Sequence, residues 1–163
     1  MTRRWLSLAM APLFWGCSQD PTIPKIADQP VTLSMALSTT TFRQGKPDTI
    51  SVTATNLLTY DATIQFGSDC QLLVTIRNAS GAAVVPPNGR RTCIPITSNL
   101  VVPAGGSVTQ RFVWTGGDNF VPPAATTPLP PGTYFVSAAI NALNYSTVAP
   151  AVKVELVAPC TGP

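Results

Sequence analysis

The sequence contains no histidine, and this absence excludes whole classes of catalytic site. Ser-His-Asp and Cys-His arrangements use an imidazole as general base, and most zinc hydrolases use it as a ligand. The acidic residues are few, and no two are spaced as a local general acid and base pair. They are Asp20, Asp28, Asp48, Asp61, Asp69, Asp118 and Glu155. We therefore expect a protein that is not an enzyme, and we assign no catalytic residue.

Charge and metal-binding motifs are equally scarce. Charged residues make up 10% of the chain and the formal net charge is +3. Two of the positive charges are Arg3 and Arg4, close to the first residue, so the rest of the chain is almost neutral. No basic patch for nucleic acid is therefore expected. The four cysteines form no CxxC pair, so we predict no metal and no cofactor.

The sequence also has no convincing 3.6-residue apolar repeat, but it has many segments in which apolar and polar residues alternate. This period of two is typical of half-buried β-strands. The segments are residues 31–38, 50–55, 62–66, 72–76, 82–85, 108–114, 134–140 and 152–156. The turn sequence at 78–81 predicts a hairpin. We predict an immunoglobulin-like antiparallel β-sandwich of about seven to eight strands, with a closed barrel as the alternative.

One residue favours the sandwich over the barrel. Tyr134 follows the tight turn Pro131-Gly132-Thr133 at the start of a late strand. In sandwiches of this class, a tyrosine in that position donates a hydrogen bond back across the corner between the sheets. The alternative is an ordinary core tyrosine.

The N-terminus has the composition of an export signal. Arg3 and Arg4 precede an uncharged run, residues 5–15, which is too short to span a bilayer. Gly16 and Cys17 follow, and this order resembles the lipobox of bacterial lipoproteins. The resemblance implies cleavage after Gly16, acylation of Cys17 and a membrane anchor, with residues 17–30 as an extended tether. An ordinary cleaved signal peptide is the alternative.

The resemblance also suggests where the protein is located. A domain with this anchor lies in the cell envelope and faces the periplasm or the cell exterior. Gln19 stands at the second position after Cys17, where inner-membrane lipoproteins usually carry Asp, so the outer membrane is favoured.

Three cysteines remain when Cys17 is set aside. In an oxidising compartment we expect a disulfide, and Cys70 and Cys93 are the favoured pair because both lie at the ends of neighbouring loops. Cys160 would then be unpaired in the tail, residues 158–163. Pairing of Cys160 with either of the other two stays open at this point.

The order of motifs resembles the BsuPI-like intracellular proteinase inhibitor domain over about residues 49–143. The similar stretches are ISVTATNLLTYDATIQFGSDCQLLVTIRNASGAAV, LVVPAGGSVTQRFVWTG and LPPGTYFVSAAI. The positions that carry the likeness are Asn56, Phe66, Gly81, Trp114 and residues 131–134. The resemblance implies an immunoglobulin-like sandwich and, for the founding inhibitor, binding of serine proteases. With the strands predicted outside this region, the sandwich is expected to span residues 31–157.

Two loops are candidate binding sites. The first, residues 86–95, is rich in proline, and its Arg90 or Arg91 is predicted to enter the acidic specificity pocket of a serine protease. The second, residues 116–131, carries Phe120 and Val121 in a proline-rich stretch expected to be exposed. The favoured prediction is a tethered module that binds a protein or glycan partner through such loops. Protease inhibition through the first loop is the alternative.

Overall fold

A computed structural model describes residues 31–89, 91–121 and 126–160. All regular structure in these residues is β, apart from one 3₁₀ turn at Pro87–Gly89. None of the described residues forms a helix long and apolar enough to cross a membrane. The strands are β1 (Val31–Leu37), β2 (Thr41–Arg43), β3 (Asp48–Asn56), β4 (Ala62–Phe66), β5 (Leu72–Asn78), β6 (Ala83–Val85), β7 (Ser98–Val102), β8 (Ser107–Trp114), β9 (Gly132–Asn141) and β10 (Ser146–Val157).

The strands form an open immunoglobulin-like sandwich and not a closed barrel. One sheet has the order β1-β3-β8, the facing sheet has the order β2-β10-β9-β5-β6, and β4 and β7 pair as a separate ribbon. The pairs are antiparallel except β10 with β2, which is parallel. The predicted fold class is therefore confirmed.

Alternation along the strands explains the core. Every second residue of β3 is buried, from Asp48 to Asn56, and β5 and β9 show the same period. The inward side chains of the two sheets pack against each other in one hydrophobic cluster. Its largest fully buried members are Trp114, Phe42, Phe66, Ile50, Ile64 and Leu72.

The sequence pattern missed two strands. β2 has three residues and one buried side chain, Phe42, which is too little for a visible alternation. β7 buries Leu100 and Val102, but Val101 between them is also apolar and exposed. The remaining eight strands, including the hairpin of β5 and β6, were predicted. Gly81 in that hairpin turn has φ +86°, a conformation that glycine adopts without strain.

The register gives the sandwich two ends. Val31 at the start of β1 pairs with Asn56, and we call this the Val31 end. At the other end, Asp48 pairs with Trp114. The Val157 carbonyl accepts a hydrogen bond from the Gln44 amide there, so we call this the Val157 end.

Asn56 fastens the loops at the Val31 end. Its side chain is buried, and Nδ2 donates to the carbonyls of Tyr60 and Val102 at 2.8 and 3.0 Å. Its Oδ1 accepts from the Leu58 amide at 2.9 Å. These bonds satisfy a buried polar group and hold the loop after β3 against the end of β7.

The hydrogen bond expected of Tyr134 is present. The hydroxyl of Tyr134, the third residue of β9, donates to the Pro130 carbonyl at 2.7 Å. Its ring lies edge-on to Trp114 with the ring centroids 6.1 Å apart. The bond ties the segment that leaves the second candidate loop to the sheet.

Replacing Tyr134 by phenylalanine is expected to lower the free energy of unfolding by about 1 kcal/mol at neutral pH, since it removes this hydrogen bond. Burial raises the pKa of Tyr134 above its ordinary value of 10.0. The folded state therefore favours the protonated hydroxyl, and its contribution to stability is lost as the pH rises from 10 towards the folded pKa.

Urea titrations at pH 8 and pH 11 measure both effects. The difference between the wild-type chain and Tyr134→Phe should be smaller at pH 11. An equal difference at the two pH values would contradict the burial of the hydroxyl.

Candidate binding cleft

The two candidate loops meet in one cleft of about 590 Å³. It lies between β8 and the segment that follows β6. Each of these two strands is at an edge of its sheet. Its walls include Pro86 and Arg91 from the first loop, Arg111 and Phe112 from β8, and Phe120 and Val121 from the second loop. We call this cavity the cleft.

Two phenylalanine rings form the apolar part of the cleft. Phe112 and Phe120 lie with their centroids 5.4 Å apart, and Phe120 is only 7% exposed. The expectation that Phe120 projects into solvent is therefore wrong. The loop folds back onto β8, and the ring gains more by packing on Phe112 than it would in water. Val121 is 37% exposed and keeps the accessible position that was expected.

The second loop is held in place from β8. The Trp114 indole Nε1 donates to the Gly117 carbonyl at 2.6 Å, and the Val121 amide donates to the Val113 carbonyl at 2.9 Å. Gly116 between them has φ +77°, and a Cβ there would lie 2.7 Å from Leu156 Cδ1. A side chain at this position would therefore collide with the core and displace the loop.

Arg91 lines the cleft with its guanidinium group. The Cζ atom lies 5.4 Å from the centroid of Phe112 and 5.9 Å from that of Phe120, both within cation–π range. Nη1 donates to the Leu72 carbonyl at 3.2 Å. Burial lowers the pKa of Arg91, and the charge of Asp69 opposes this shift. The group remains charged at neutral pH because a guanidinium loses its proton only in strongly basic solution.

These contacts correct one expectation. Arg91 is half-buried and bound on three sides, so it does not project from the loop as an arginine that inserts into a protease pocket must. Arg90, the other candidate, lies outside the described residues, as does Cys17, the predicted acylation site.

The predicted disulfide is confirmed, and it fixes the segment that carries Arg91. Cys70 and Cys93 are bonded, with their Cα atoms 5.7 Å apart. Beside the bond, the Ile94 amide donates to the Asp69 carboxylate at 2.7 Å. Both sulfurs near Asp69 are used in the disulfide, so they offer no thiolate to a metal. Cys160 is a free, exposed thiol.

The cleft has a positive charge and an open strand edge. Arg111 is exposed at its rim, and no carboxylate is among the side chains that line it. Because Val121 bonds to the Val113 carbonyl, the backbone of Val113 faces away from β3. Backbone groups alternate in direction along an antiparallel strand, so Arg111 and Thr109 also face this edge. In the described part of the chain, no residue other than Val121 pairs there.

The sequence matches no family model and no curated protein. Among solved structures, the chain is similar to the CARDB domain of the PF1109 protein from Pyrococcus furiosus, with 15% identity and a TM-score of 0.46. That match covers 82% of this chain and 97% of the domain.

Parts of two larger enzymes are also similar. A β-glucosidase from Erythrobacter marinus matches with 12% identity and a TM-score of 0.45, over 78% of this chain and 16% of the enzyme. The alkylpurine DNA glycosylase AlkC from Pseudomonas fluorescens matches with 12% identity and a TM-score of 0.44, over 78% of this chain and 30% of the enzyme. These likenesses concern the immunoglobulin-like fold alone.

Proposed function

We propose that this protein is a non-enzymatic binding module of the bacterial cell envelope. It is anchored by lipid on Cys17 and holds a segment of a partner protein in the cleft. The observation that carries the proposal is the meeting of two separate loops in one cavity, where two arginines and two phenylalanine rings converge without a carboxylate.

The chemistry of the cleft favours an extended acidic peptide as ligand. The open edge at Thr109 and Arg111 presents backbone donors and acceptors that a peptide strand can pair with. Arg111 is placed to bind a carboxylate of that strand, and the rings of Phe112 and Phe120 offer an apolar surface beside it. Pairing of backbone groups supplies affinity, and the arginine supplies the preference for negative charge.

The proposal is tested with extended peptides of equal length that are rich in either glutamate or lysine, and with polygalacturonate as an acidic glycan. The wild-type chain should bind the glutamate peptide most tightly. Arg111→Glu should weaken binding about tenfold, because reversing one charge at an exposed ion pair changes about 1.4 kcal/mol. Binding should also weaken with added salt. Titration calorimetry measures both effects.

The matched control is Lys153→Glu. Lys153 is exposed on β10 and does not line the cleft, so the variant has the same change in net charge without touching the cavity. Equal losses for the two variants would reduce the effect to net charge and contradict a site in the cleft. Tighter binding of polygalacturonate than of the peptide would indicate that the partner is a glycan and not a protein.

Protease inhibition is tested in the same preparation against a panel of serine proteases. With Arg91 held by Phe112, Phe120 and Leu72, any inhibition should depend on Arg90 and be reduced by Arg90→Ala. We do not favour this function, since the contacts of Arg91 remove one of its two candidate residues.

A further inference from the structure

The most exposed apolar side chains of the described residues lie at one end of the sandwich. Leu143 and Val148 are each 72% exposed, Leu57 is 67% exposed and Tyr60 is 65% exposed. Leu57 and Tyr60 follow Asn56 in the loop after β3. Leu143 lies in the turn between β9 and β10, and Val148 is the third residue of β10.

Hydrogen bonds place these loops together at the Val31 end. The Tyr145 hydroxyl, two residues after Leu143, donates to the Val31 carbonyl, and Val31 pairs with Asn56. Asn56 in turn donates to the Tyr60 carbonyl at 2.8 Å. The start of β1 therefore has an exposed apolar loop on each side of it. We call Leu57, Tyr60 and Leu143 the apolar tip.

The tip is also the point at which the chain arrives from Cys17. The fourteen residues 17–30 connect the predicted acylation site to β1. Fully extended they reach about 46 Å. A bilayer that holds the acyl chains therefore lies within that distance of the start of β1 and of the tip beside it.

The two loops of the tip, residues 57–61 and 142–145, carry a single charged side chain, so a contact made by the tip is apolar rather than electrostatic. Asp61 is in the loop beside Tyr60, and its carboxylate accepts a hydrogen bond from the Ala104 amide at 2.9 Å. Lys46 and Asp48, which form an ion pair, lie at the Val157 end. Tyrosine is enriched at the boundary between headgroups and acyl chains, and leucine is common on the apolar face of segments that lie there.

We propose that the apolar tip rests in the interfacial layer of the membrane that holds the lipid on Cys17. The sandwich then stands on the bilayer by its Val31 end. This inference rests on the acyl anchor of the proposed function. It adds a second, direct contact between protein and lipid and fixes which way the domain faces.

Depth-dependent quenching tests the contact. The full acylated chain is purified from membranes and reconstituted into phosphatidylglycerol and phosphatidylcholine vesicles, with or without bromine on the acyl chains. The reporter is Leu57→Trp, and its control is Phe135→Trp on the outer face of the five-stranded sheet. The buried Trp114 gives a constant background. We expect bromine to quench Leu57→Trp about threefold more than Phe135→Trp, as for side chains that enter the headgroup boundary.

A second pair of variants separates contact from mere proximity. Adding Tyr60→Ser and Leu143→Ser to the Leu57→Trp chain should remove most of this difference, whereas adding Val121→Ser should leave it unchanged. Equal quenching of the two reporters in acylated protein would overturn the inference. The same result is expected if a second copy of the chain, and not the bilayer, covers the tip.

The anchor itself is tested separately. Mass spectrometry of the N-terminal peptide from the same membranes decides whether Cys17 is acylated. Absence of the lipid would overturn the proposed tether, whereas acylated protein without selective quenching would overturn only the membrane contact of the tip.

Discussion

Replacing Trp114 by alanine is expected to lower the free energy of unfolding by about 4 kcal/mol, the usual range for a large aromatic residue lost from a core. Trp114 is fully buried, and its ring packs on Phe42 with the centroids 5.0 Å apart and on Tyr134 at 6.1 Å. Urea denaturation followed by far-UV circular dichroism measures the loss. Val113→Ala, at the half-buried neighbouring position, is the control and should cost less than half as much.

Trp114→Phe separates packing from anchoring of the second loop. The smaller ring keeps most of the core contact, but the bond from Nε1 to the Gly117 carbonyl is lost. We expect a cost of about 2 kcal/mol, of which the hydrogen bond accounts for about half. Peptide binding in the cleft should weaken as well, because Phe120 and Val121 depend on this loop. Unchanged binding would show that the indole bond does not position the cleft.

Removal of the disulfide has the second large effect. Replacing Cys70 and Cys93 by serine together releases a cross-link between residues 23 apart in sequence. The chain-entropy estimate for a loop of this length is about 3 kcal/mol. Denaturation of the oxidised chain, the reduced chain and the double variant measures the difference. The exposed Cys160→Ser is the control and should not change stability.

Loss of the disulfide is expected to weaken binding in the cleft as well as to lower stability. Cys93 lies two residues after Arg91, so the segment that carries the guanidinium loses one of its attachments. The segment keeps the bond from Arg91 to the Leu72 carbonyl, the contacts of the guanidinium with Phe112 and Phe120, and the bonds between Ile94 and Asp69. We expect weaker peptide binding in reduced protein. Full stability of the reduced chain would contradict the predicted structural role of the bond.

The fold could be predicted from the sequence because most of its strands alternate apolar and polar residues. In β3 and β9 the inward residues are mostly apolar, so the pattern alone assigns the strand and its buried face. Tyr134 and the pair Cys70 and Cys93 were identified for a related reason. Each is a residue type with one dominant structural use in this context.

The cleft could be predicted only in pieces. The loops that form it were identified separately, but their meeting depends on which strands are edges, and this is a property of the sheet order rather than of any local segment. Phe120 was assigned to solvent because prolines surround it. Its burial depends on Phe112, which lies on another element. The contacts of Arg91 could not be predicted, because its aromatic neighbours are distant in sequence.

The direction of β1 and β10 also decides how the domain carries mechanical load. The chain enters β1 at one end of the sandwich and leaves β10 at the opposite end. A pull between the segment before β1 and the segment after β10 therefore acts along both strands in opposite directions. All seven residue pairs of β1 with β3 are strained in parallel, whereas peeling from one end would break them one after another. Under the proposed anchoring through Cys17, this geometry makes the domain stiff against a pull on its C-terminal segment.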